Sequence, residues 1–219
     1  FSQKKSFKYL MTGYIFAGIV NIVYCLYVLT FGDFVGWNNP YGNILGTFGN
    51  PNFIGAFLGF FTSSLIAYSL TKKVSRKIRF VTGLTAIVAV YEIIESHAIQ
   101  GRVVLAAGIV IIGFYIVRDK FKNRIILATY SLFASLVGGI SLLGALQIGP
   151  LSKYIYKTSI SLRGEYWKAG LNMAKSHLLS GVGFDSYGDW YRRSRSAQAL
   201  ILPGPETTSN AAHNVIIDV

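Results

Sequence analysis

The sequence predicts an all-α protein whose helices cross a membrane several times. Of its 219 residues, 52% are hydrophobic and only 14% are charged, which lies outside the usual composition of soluble domains. Five nearly uncharged runs follow one another, and each approaches the roughly 20 residues that a helix needs to cross a bilayer. The connections between these runs alternate between strongly basic and nearly neutral. Together these observations indicate a polytopic transmembrane fold.

The apolar runs predict five transmembrane helices in chain order. Their approximate bounds are residues 13–31, 53–70, 80–94, 103–117 and 125–148. Residues 149–212 are predicted to form a long loop, in which apolar residues recur at helical spacing between Leu151 and Ser176. That spacing predicts one or two amphipathic helices at the membrane face. A new apolar run predicts that residues 213–219 begin a sixth transmembrane helix, which is cut short.

The basic residues predict the orientation of these helices. Twelve of the 21 lysines and arginines lie in the first eight residues and in two connections, residues 71–79 and 118–124. Positive charge near the ends of transmembrane helices marks the cytoplasmic side, where anionic lipids attract it. The long loop is therefore expected on the extracytoplasmic side of the cytoplasmic membrane. Because the charge follows this topology, the net charge of +12 does not indicate a nucleic-acid partner.

The single cysteine and the chain ends add two expectations. Cys25 has no partner cysteine, so the sequence offers no disulfide framework and no thiolate metal site. The chain begins at Phe1 rather than Met and stops just inside an apolar run, so we expect it to be part of a longer protein. No small-residue cleavage site follows the basic start, which favours a retained first helix over a signal peptide.

The first of three polar clusters on the predicted outer side is the turn at residues 46–52, Gly-Thr-Phe-Gly-Asn-Pro-Asn. Asn50 is a candidate cap for a helix that opens at Pro51. One interpretation is that Asn50 and Asn52 only form this cap and turn. The other is that the outer helix N-terminus binds a phosphate of a substrate.

The second cluster surrounds the predicted outer turn between the third and fourth helices. It contains Glu92, Glu95, His97, Gln100 and Arg102. Ionisable residues at membrane depth are costly and are therefore candidates for function. Arg102 either pairs with one of the glutamates or offers its planar guanidinium to a phosphate. His97 beside two carboxylates is also a candidate metal ligand, although the spacing matches no specific metal motif.

The third cluster lies in the long loop and at the end of the chain. Its candidate site residues are cationic or aromatic, together with a His-Asn pair at the end: Arg163, Tyr166, Trp167, Tyr191, Arg192, His213 and Asn214. His213 stands where a polar loop meets an apolar run, and a neutral imidazole there accepts a proton near neutral pH. A purely structural His213 is the alternative. We expect the three clusters to form a cationic, aromatic-rich outer pocket for a lipid-linked phosphate and a sugar.

At these residues the sequence resembles the O-antigen ligase-like family, which also includes outer-face glycan polymerases and protein O-glycosyltransferases. The resemblance covers residues 46–219. It rests on the turn at residues 46–52, the Gln-Gly turn at 96–102, Arg-x-x-Tyr-Trp at 163–167 followed by the His and Gly residues of 177–183, and His-Asn at 213–214. Two positions depart from the family pattern. Leu178 replaces the usual proline, and Arg102 follows the Gln-Gly pair instead of lying inside a Ser-Arg-Gly.

The resemblance implies a metal-independent membrane glycosyltransferase of the GT-C type, with no cofactor. Such an enzyme would move a glycan from an undecaprenyl-diphosphate carrier to a lipid, glycan or protein acceptor on the outer membrane face. It implies that Arg102 and Arg163 hold the diphosphate leaving group, while His213 takes the proton of the acceptor hydroxyl.

The remaining candidates have binding roles in the same interpretation. Asn214 would orient the acceptor, and Arg192 is a further phosphate candidate. The aromatic side chains of Tyr166, Trp167 and Tyr191 would stack on sugar faces.

Several alternatives stay open. The resemblance does not separate an O-antigen ligase from a surface polysaccharide polymerase or a protein O-oligosaccharyltransferase. A non-enzymatic polysaccharide or lipid transporter is a different class, and it predicts polar residues in the middle of several helices. Asn21 is the main residue of that kind here, and the other polar residues gather at the predicted outer side. This distribution favours the enzyme.

Overall fold

The computed structural model describes residues 3–37, 39, 42–146, 148–155, 158–183 and 185–212, and their regular structure is entirely helical. Five long helices come first: α1 (Gln3–Phe31), α2 (Pro51–Ser69), α3 (Arg76–Glu95), α4 (Ile99–Phe121) and α5 (Arg124–Ala145). Three shorter ones follow: α6 (Ser152–Ile155), α7 (Thr158–Ser176) and α8 (Tyr187–Ser194). Single 3₁₀ turns lie at Gly46–Phe48 and Ala197–Leu200. The predicted all-α class is confirmed for these residues.

Four helices in the described part of the chain are long and apolar enough to cross a membrane. They are Lys5–Phe31, Pro51–Ser69, Ile99–Phe121 and Arg124–Ala145. This confirms the polytopic class. α3 differs in composition, because Arg79 near one end and Glu92 near the other leave only residues 80–91 uncharged.

The packing of α3 bears on the number of membrane crossings. α2 packs against both α3 and α4. A Cβ added to Gly55, near the start of α2, would lie 3.2 Å from the Cβ of Ala98 in the α3–α4 turn. That turn is therefore at the end of the bundle where α2 begins, and α3 returns along the whole length of α2. Its 20 residues measure about 30 Å. The assignment of α3 as a fifth span stays a prediction, which this packing favours.

The chain divides into two compact units, Phe1–Ser131 and Leu132–Val219. The core of the first unit is apolar and combines α1, the segment before α2, α2 and α3. Its buried members are Ile22, Cys25, Ile44, Ile54, Leu58, Phe61, Ala89 and Ile93. Because α2 is central to this core, the start of α2 is held firmly, and that start carries the first polar cluster.

The second unit is built on the packing of α7 against α8. Its buried core contains Ala169 and Met173 of α7, Tyr187 and Tyr191 of α8, and Ala212. α6 and α7 confirm the predicted helices between Leu151 and Ser176. α8 was not predicted, because its sequence mixes charges with aromatic residues. It is helical because Tyr187 and Tyr191, one turn apart, both enter this core.

Candidate functional site

The turn before α2 folds as a helix cap. α2 begins at Pro51, and Oδ1 of Asn50 accepts a hydrogen bond from the backbone N–H of Asn52 at 2.8 Å. The carbonyl oxygen of Asn50 accepts another from the N–H of Ile54 at 3.1 Å. The predicted cap is confirmed. Within the described residues the amide nitrogen of Asn50 has no partner, so its two donors remain open to a ligand. Phosphate binding at this turn stays a prediction.

Close packing of α2 and α4 places Arg102 near this turn. A Cβ at Gly101 would lie 2.7 Å from the carbonyl oxygen of Gly55, and one at Gly59 would lie 2.8 Å from the carbonyl oxygen of Gly101. No side chain fits between the two backbones. Because Arg102 follows Gly101, it lies at the same end of the first unit as the cap.

Arg102 is exposed and weakly held. Its guanidinium donates to the carbonyl oxygen of His97 at 3.5 Å, which is long for a hydrogen bond. Glu92 is fully buried, and neither of its carboxylate oxygens has a hydrogen-bond partner in the described part of the chain. Among these residues Arg102 forms no ion pair with Glu92 or Glu95. The ion-pair alternative is therefore absent here, and the guanidinium can meet a phosphate.

His97 lies just after α3 in a left-handed conformation with φ of 55°. Its side chain is exposed, whereas Glu92 of α3 is buried. In the ranges that the structure describes, no three His, Cys, Asp or Glu side chains come together as a metal-binding group.

On α7, Arg163 and Trp167 lie one helical turn apart and therefore share a face. Arg163 is exposed, and its guanidinium has no ion-pair partner among the described residues. Trp167 keeps 39% of its surface exposed. The geometry suits a cation and a ring that contact a bound molecule together.

The end of the long loop is attached to Trp167. Nε1 of Trp167 donates a hydrogen bond to the carbonyl oxygen of Ala212 at 3.0 Å. Ala212 is itself fully buried against Ala169, Met173 and the α8 tyrosines. Ala212 immediately precedes His213 in the sequence. His213 and Asn214 themselves lie outside the described residues.

The candidate tyrosines form the core behind this face. Tyr191 is fully buried, and its ring centroid lies 5.6 Å from that of Tyr166 and 6.0 Å from that of Tyr187. The Tyr187 hydroxyl donates to the carbonyl oxygen of Tyr166 at 2.6 Å. Burial raises the pKa of Tyr191 above its ordinary value. Sugar stacking on Tyr191 stays a prediction, but its ring now packs against protein, and Trp167 is the more exposed platform.

A buried carboxylate connects α7 to the loop after α8. Glu165 accepts hydrogen bonds from Nζ of Lys168 at 2.6 Å and from the hydroxyl of Ser196. Burial acts to raise the pKa of Glu165, but the two hydrogen bonds and the charge of Lys168 outweigh it, so the pKa is lowered. In its ionised form, Glu165 therefore links α7 to the loop after α8.

The arginines near α8 have separate surroundings. Arg193 lies over the ring of Trp190, with the guanidinium carbon 5.7 Å from the ring centroid. Arg195 donates to the carbonyl oxygens of Thr207 at 3.3 Å and Gly204 at 3.5 Å. Arg192 is exposed and has no such partner in the described part of the chain, so it remains open to a phosphate.

Two contacts of the site were not foreseen from the sequence. One is the hydrogen bond from Trp167 to Ala212, and the other is the link from Glu165 to Ser196. Trp167 was singled out for its ring alone. Neither contact has a periodic signature, because each joins positions that are more than 30 residues apart.

Comparison with known proteins adds a family match. The sequence model of a family described as O-antigen ligase matches residues 84–219, which is more than half of the chain. The match includes Arg102, all of α7 and α8, and the last residues of the chain. No curated protein and no solved structure matches the chain.

Proposed function

The chain belongs to the O-antigen ligase family, and we propose that it transfers a glycan from undecaprenyl diphosphate to an acceptor hydroxyl on the outer face of the cytoplasmic membrane. Family membership and the four apolar helices support a membrane enzyme that ligates or polymerises glycans. The donor and a reaction without metal are our proposals and rest on the family resemblance, whereas the membrane face is our proposal from the charge pattern.

In the proposed reaction, the oxygen of the acceptor hydroxyl attacks the anomeric carbon of the sugar attached to the diphosphate. The bond from that carbon to the phosphate oxygen breaks, and its electron pair leaves with undecaprenyl diphosphate. His213 takes the hydroxyl proton, and Asn214 orients the acceptor. Arg163 balances the charge that develops on the diphosphate, and such preorganised charge is usually the largest catalytic contribution.

One observation carries this proposal: the loop residue before His213 is hydrogen-bonded to Trp167, which lies one helical turn from Arg163 on α7. Trp167 holds the carbonyl of Ala212, and the Ala212 side chain is buried. Arg163 lies one turn from Trp167, exposed and without an ion-pair partner in the described residues. Trp167 therefore connects the backbone leading to the candidate base with the helix that carries the candidate cation, and this connection supports the proposal.

The first unit supplies further phosphate candidates. Arg102 and the donors of Asn50 and Asn52 lie at one end of that unit, and the predicted topology places this end on the outer side. We propose that they bind the phosphates of the lipid carrier. Variants of these residues test that role independently of α7.

The proposal is tested by substitutions at the ends of the Trp167–Ala212 connection. The full chain in lipid nanodiscs is given undecaprenyl-diphosphate-linked glycan and lipid, glycan or protein acceptors. We expect His213→Ala to lower kcat by about 10²–10⁴-fold, the usual contribution of a general base. Trp167→Phe keeps a ring but loses the Nε1 donor, and we expect kcat/KM to fall on the order of tenfold because a small misplacement of reacting groups is costly.

Trp190→Phe is the matched control, since Trp190 packs on His177 and Arg193 and has no role in the proposed chemistry. We expect it to transfer at nearly the wild-type rate. Activity should fall on the acidic side as the imidazole protonates, and EDTA should have no effect. Near-normal turnover by His213→Ala would exclude the general base, and inhibition by EDTA would restore His97 as a candidate metal ligand.

A further inference from the structure

Asn21 is a buried polar residue of α1 whose hydrogen-bond partners reach beyond its own helix. It is 2% exposed and lies about 15 Å from Phe31 along the helix axis. Its Nδ2 donates to the carbonyl oxygen of Ala17 at 3.0 Å. Its Oδ1 accepts two hydrogen bonds from Thr47, one from the backbone N–H at 3.0 Å and one from the hydroxyl at 3.0 Å. Both acceptor positions of Oδ1 are thus used by one residue of the turn before α2.

The turn packs so closely on Asn21 that no side chain fits at Gly46. Gly46 has φ of 57°, and a Cβ there would lie 2.5 Å from Cδ1 of Ile54 and 3.0 Å from Oδ1 of Asn21. Ile54 is fully buried near the start of α2. Irregular backbone at membrane depth is tolerated only where its polar groups find partners inside the protein. For Thr47, Asn21 supplies that partner.

We propose that Asn21 is a positioning residue that fixes the height and orientation of the turn at residues 46–52, so that Asn50 and Asn52 face the lipid-linked donor. The use of the turn rests on the proposed function, whereas the anchoring by Asn21 does not. The geometry also explains why α1 contains Asn21, a residue that the transporter alternative would assign to cargo binding. Both polar atoms of the Asn21 amide are engaged by the protein, so Asn21 holds a turn instead.

The test begins with a probe that does not depend on activity. Cys25 is fully buried, so Phe48→Cys introduces a single reactive thiol at an exposed position of the turn. We expect Asn21→Ala to change the rate of alkylation of this thiol by a water-soluble maleimide roughly five- to tenfold, as the loss of one or two buried hydrogen bonds allows. Thr30→Ala is the control on the same helix, since among the described residues the Thr30 hydroxyl bonds to the carbonyl oxygen of Leu26 in its own helix and to no other group, and it should leave the rate unchanged.

Kinetics without the introduced cysteine complete the test. We expect Asn21→Ala to lower kcat/KM for the lipid-linked donor about tenfold, mainly through KM, because donor binding is what the turn supports. Thr47→Ser keeps the hydroxyl and should retain most activity, whereas Thr47→Val should not. The double variant Asn21→Ala/Thr47→Val should be no worse than Asn21→Ala alone, since the two residues act as one unit.

The outcomes separate the two proposals. Unchanged alkylation in Asn21→Ala overturns the anchor, and changed alkylation with wild-type kcat/KM overturns the positioning role. A wild-type chain that transfers no glycan, combined with changed alkylation in Asn21→Ala, removes the proposed function and leaves the anchor supported. If Asn21→Ala lowers the melting temperature without any change in KM, the role of Asn21 is only structural, and this result also overturns the proposal.

Discussion

Arg163 differs from Arg193 and Arg195 in its surroundings. Arg195 is occupied by two backbone carbonyls, and Arg193 lies over Trp190. Arg163 has no comparable partner within the described residues, and it is exposed one helical turn from Trp167, which holds the end of the loop. Its guanidinium is therefore open to a ligand as far as the described residues show. Arg163 therefore carries the residue-scale prediction.

We expect Arg163→Ala to reduce glycan transfer by at least about 10²-fold, while the variant still inserts into the membrane and is solubilised in detergent like the wild type. Arg163→Lys should restore little of this loss, because lysine keeps the charge but lacks the planar two-pronged donor geometry. Arg193→Ala serves as the matched control and should remain active. The measurement is single-turnover transfer from the lipid-linked donor. Near-complete rescue by lysine would leave only a point-charge role for Arg163.

At the scale of single elements, α7 depends on a charged group in its interior. Glu165 is 7% exposed and is hydrogen-bonded to Lys168 and Ser196. Its pKa is lowered in the folded protein, so the unfolded chain binds the proton more tightly. The stabilisation is therefore complete above the unfolded pKa, about 4.3 for a glutamate, and is lost as the pH falls through the lower folded value.

This linkage gives a pH-dependent prediction. We expect Glu165→Gln to lower the free energy of unfolding at pH 7 by on the order of 1–2 kcal/mol, because one charge-assisted hydrogen bond is weakened and Lys168 is mostly solvated. The difference from wild type should shrink between pH 5 and pH 3. Two of the three tryptophans, Trp167 and Trp190, lie in this unit, so thermal melts followed by tryptophan fluorescence report on it. A difference that stays constant with pH would show that Glu165 contributes through packing alone.

The α2–α4 contact is a second element-scale feature. Gly101→Ala should separate the two helices, because the added Cβ would meet backbone atoms of Gly55 that have no freedom to turn away. We expect a loss of about 1–3 kcal/mol, as for other overpacked cores. Gly83→Ala is the control, since a Cβ at Gly83 has no atom within 4 Å. Equal melting temperatures for the two variants would mean that the helices are not in backbone contact.

These elements show what the sequence could reveal. Hydropathy predicted a helix at residues 53–70, and α2 runs from Pro51 to Ser69 with the cap that Asn50 suggested. The motif residues Arg163 and Trp167 were also identified from the sequence. The Gly55–Gly101 approach, the Asn21–Thr47 anchor and the Trp167–Ala212 bond were not predicted. Each depends on which distant parts of the chain become neighbours, and a single sequence does not encode that in its periodicity or local propensity.

At the scale of the whole molecule, function depends on which side of the membrane each turn faces. The charge pattern predicts that residues 71–79 and 118–124 are cytoplasmic, and that the loop at residues 149–212 is outside. Packing in the first unit adds that the α3–α4 turn lies at the end where α2 begins. If α3 crosses the membrane, that turn is outside together with the cap. If it did not, the turn and Arg102 would be cytoplasmic, which would contradict this packing and keep Arg102 from an outer-face donor.

Cysteine labelling decides between these arrangements. In intact cells we expect a membrane-impermeant maleimide to label His97→Cys and Pro205→Cys, while Ser75→Cys reacts only after the membrane is permeabilised. The parent chain is the background control, because its single cysteine, Cys25, is fully buried and should stay unlabelled. Cytoplasmic labelling of Pro205→Cys would reverse the molecule and exclude outer-face transfer. Cytoplasmic labelling of His97→Cys alone would exclude α3 as a span and remove Arg102 from the site, while the roles of Arg163 and His213 would survive.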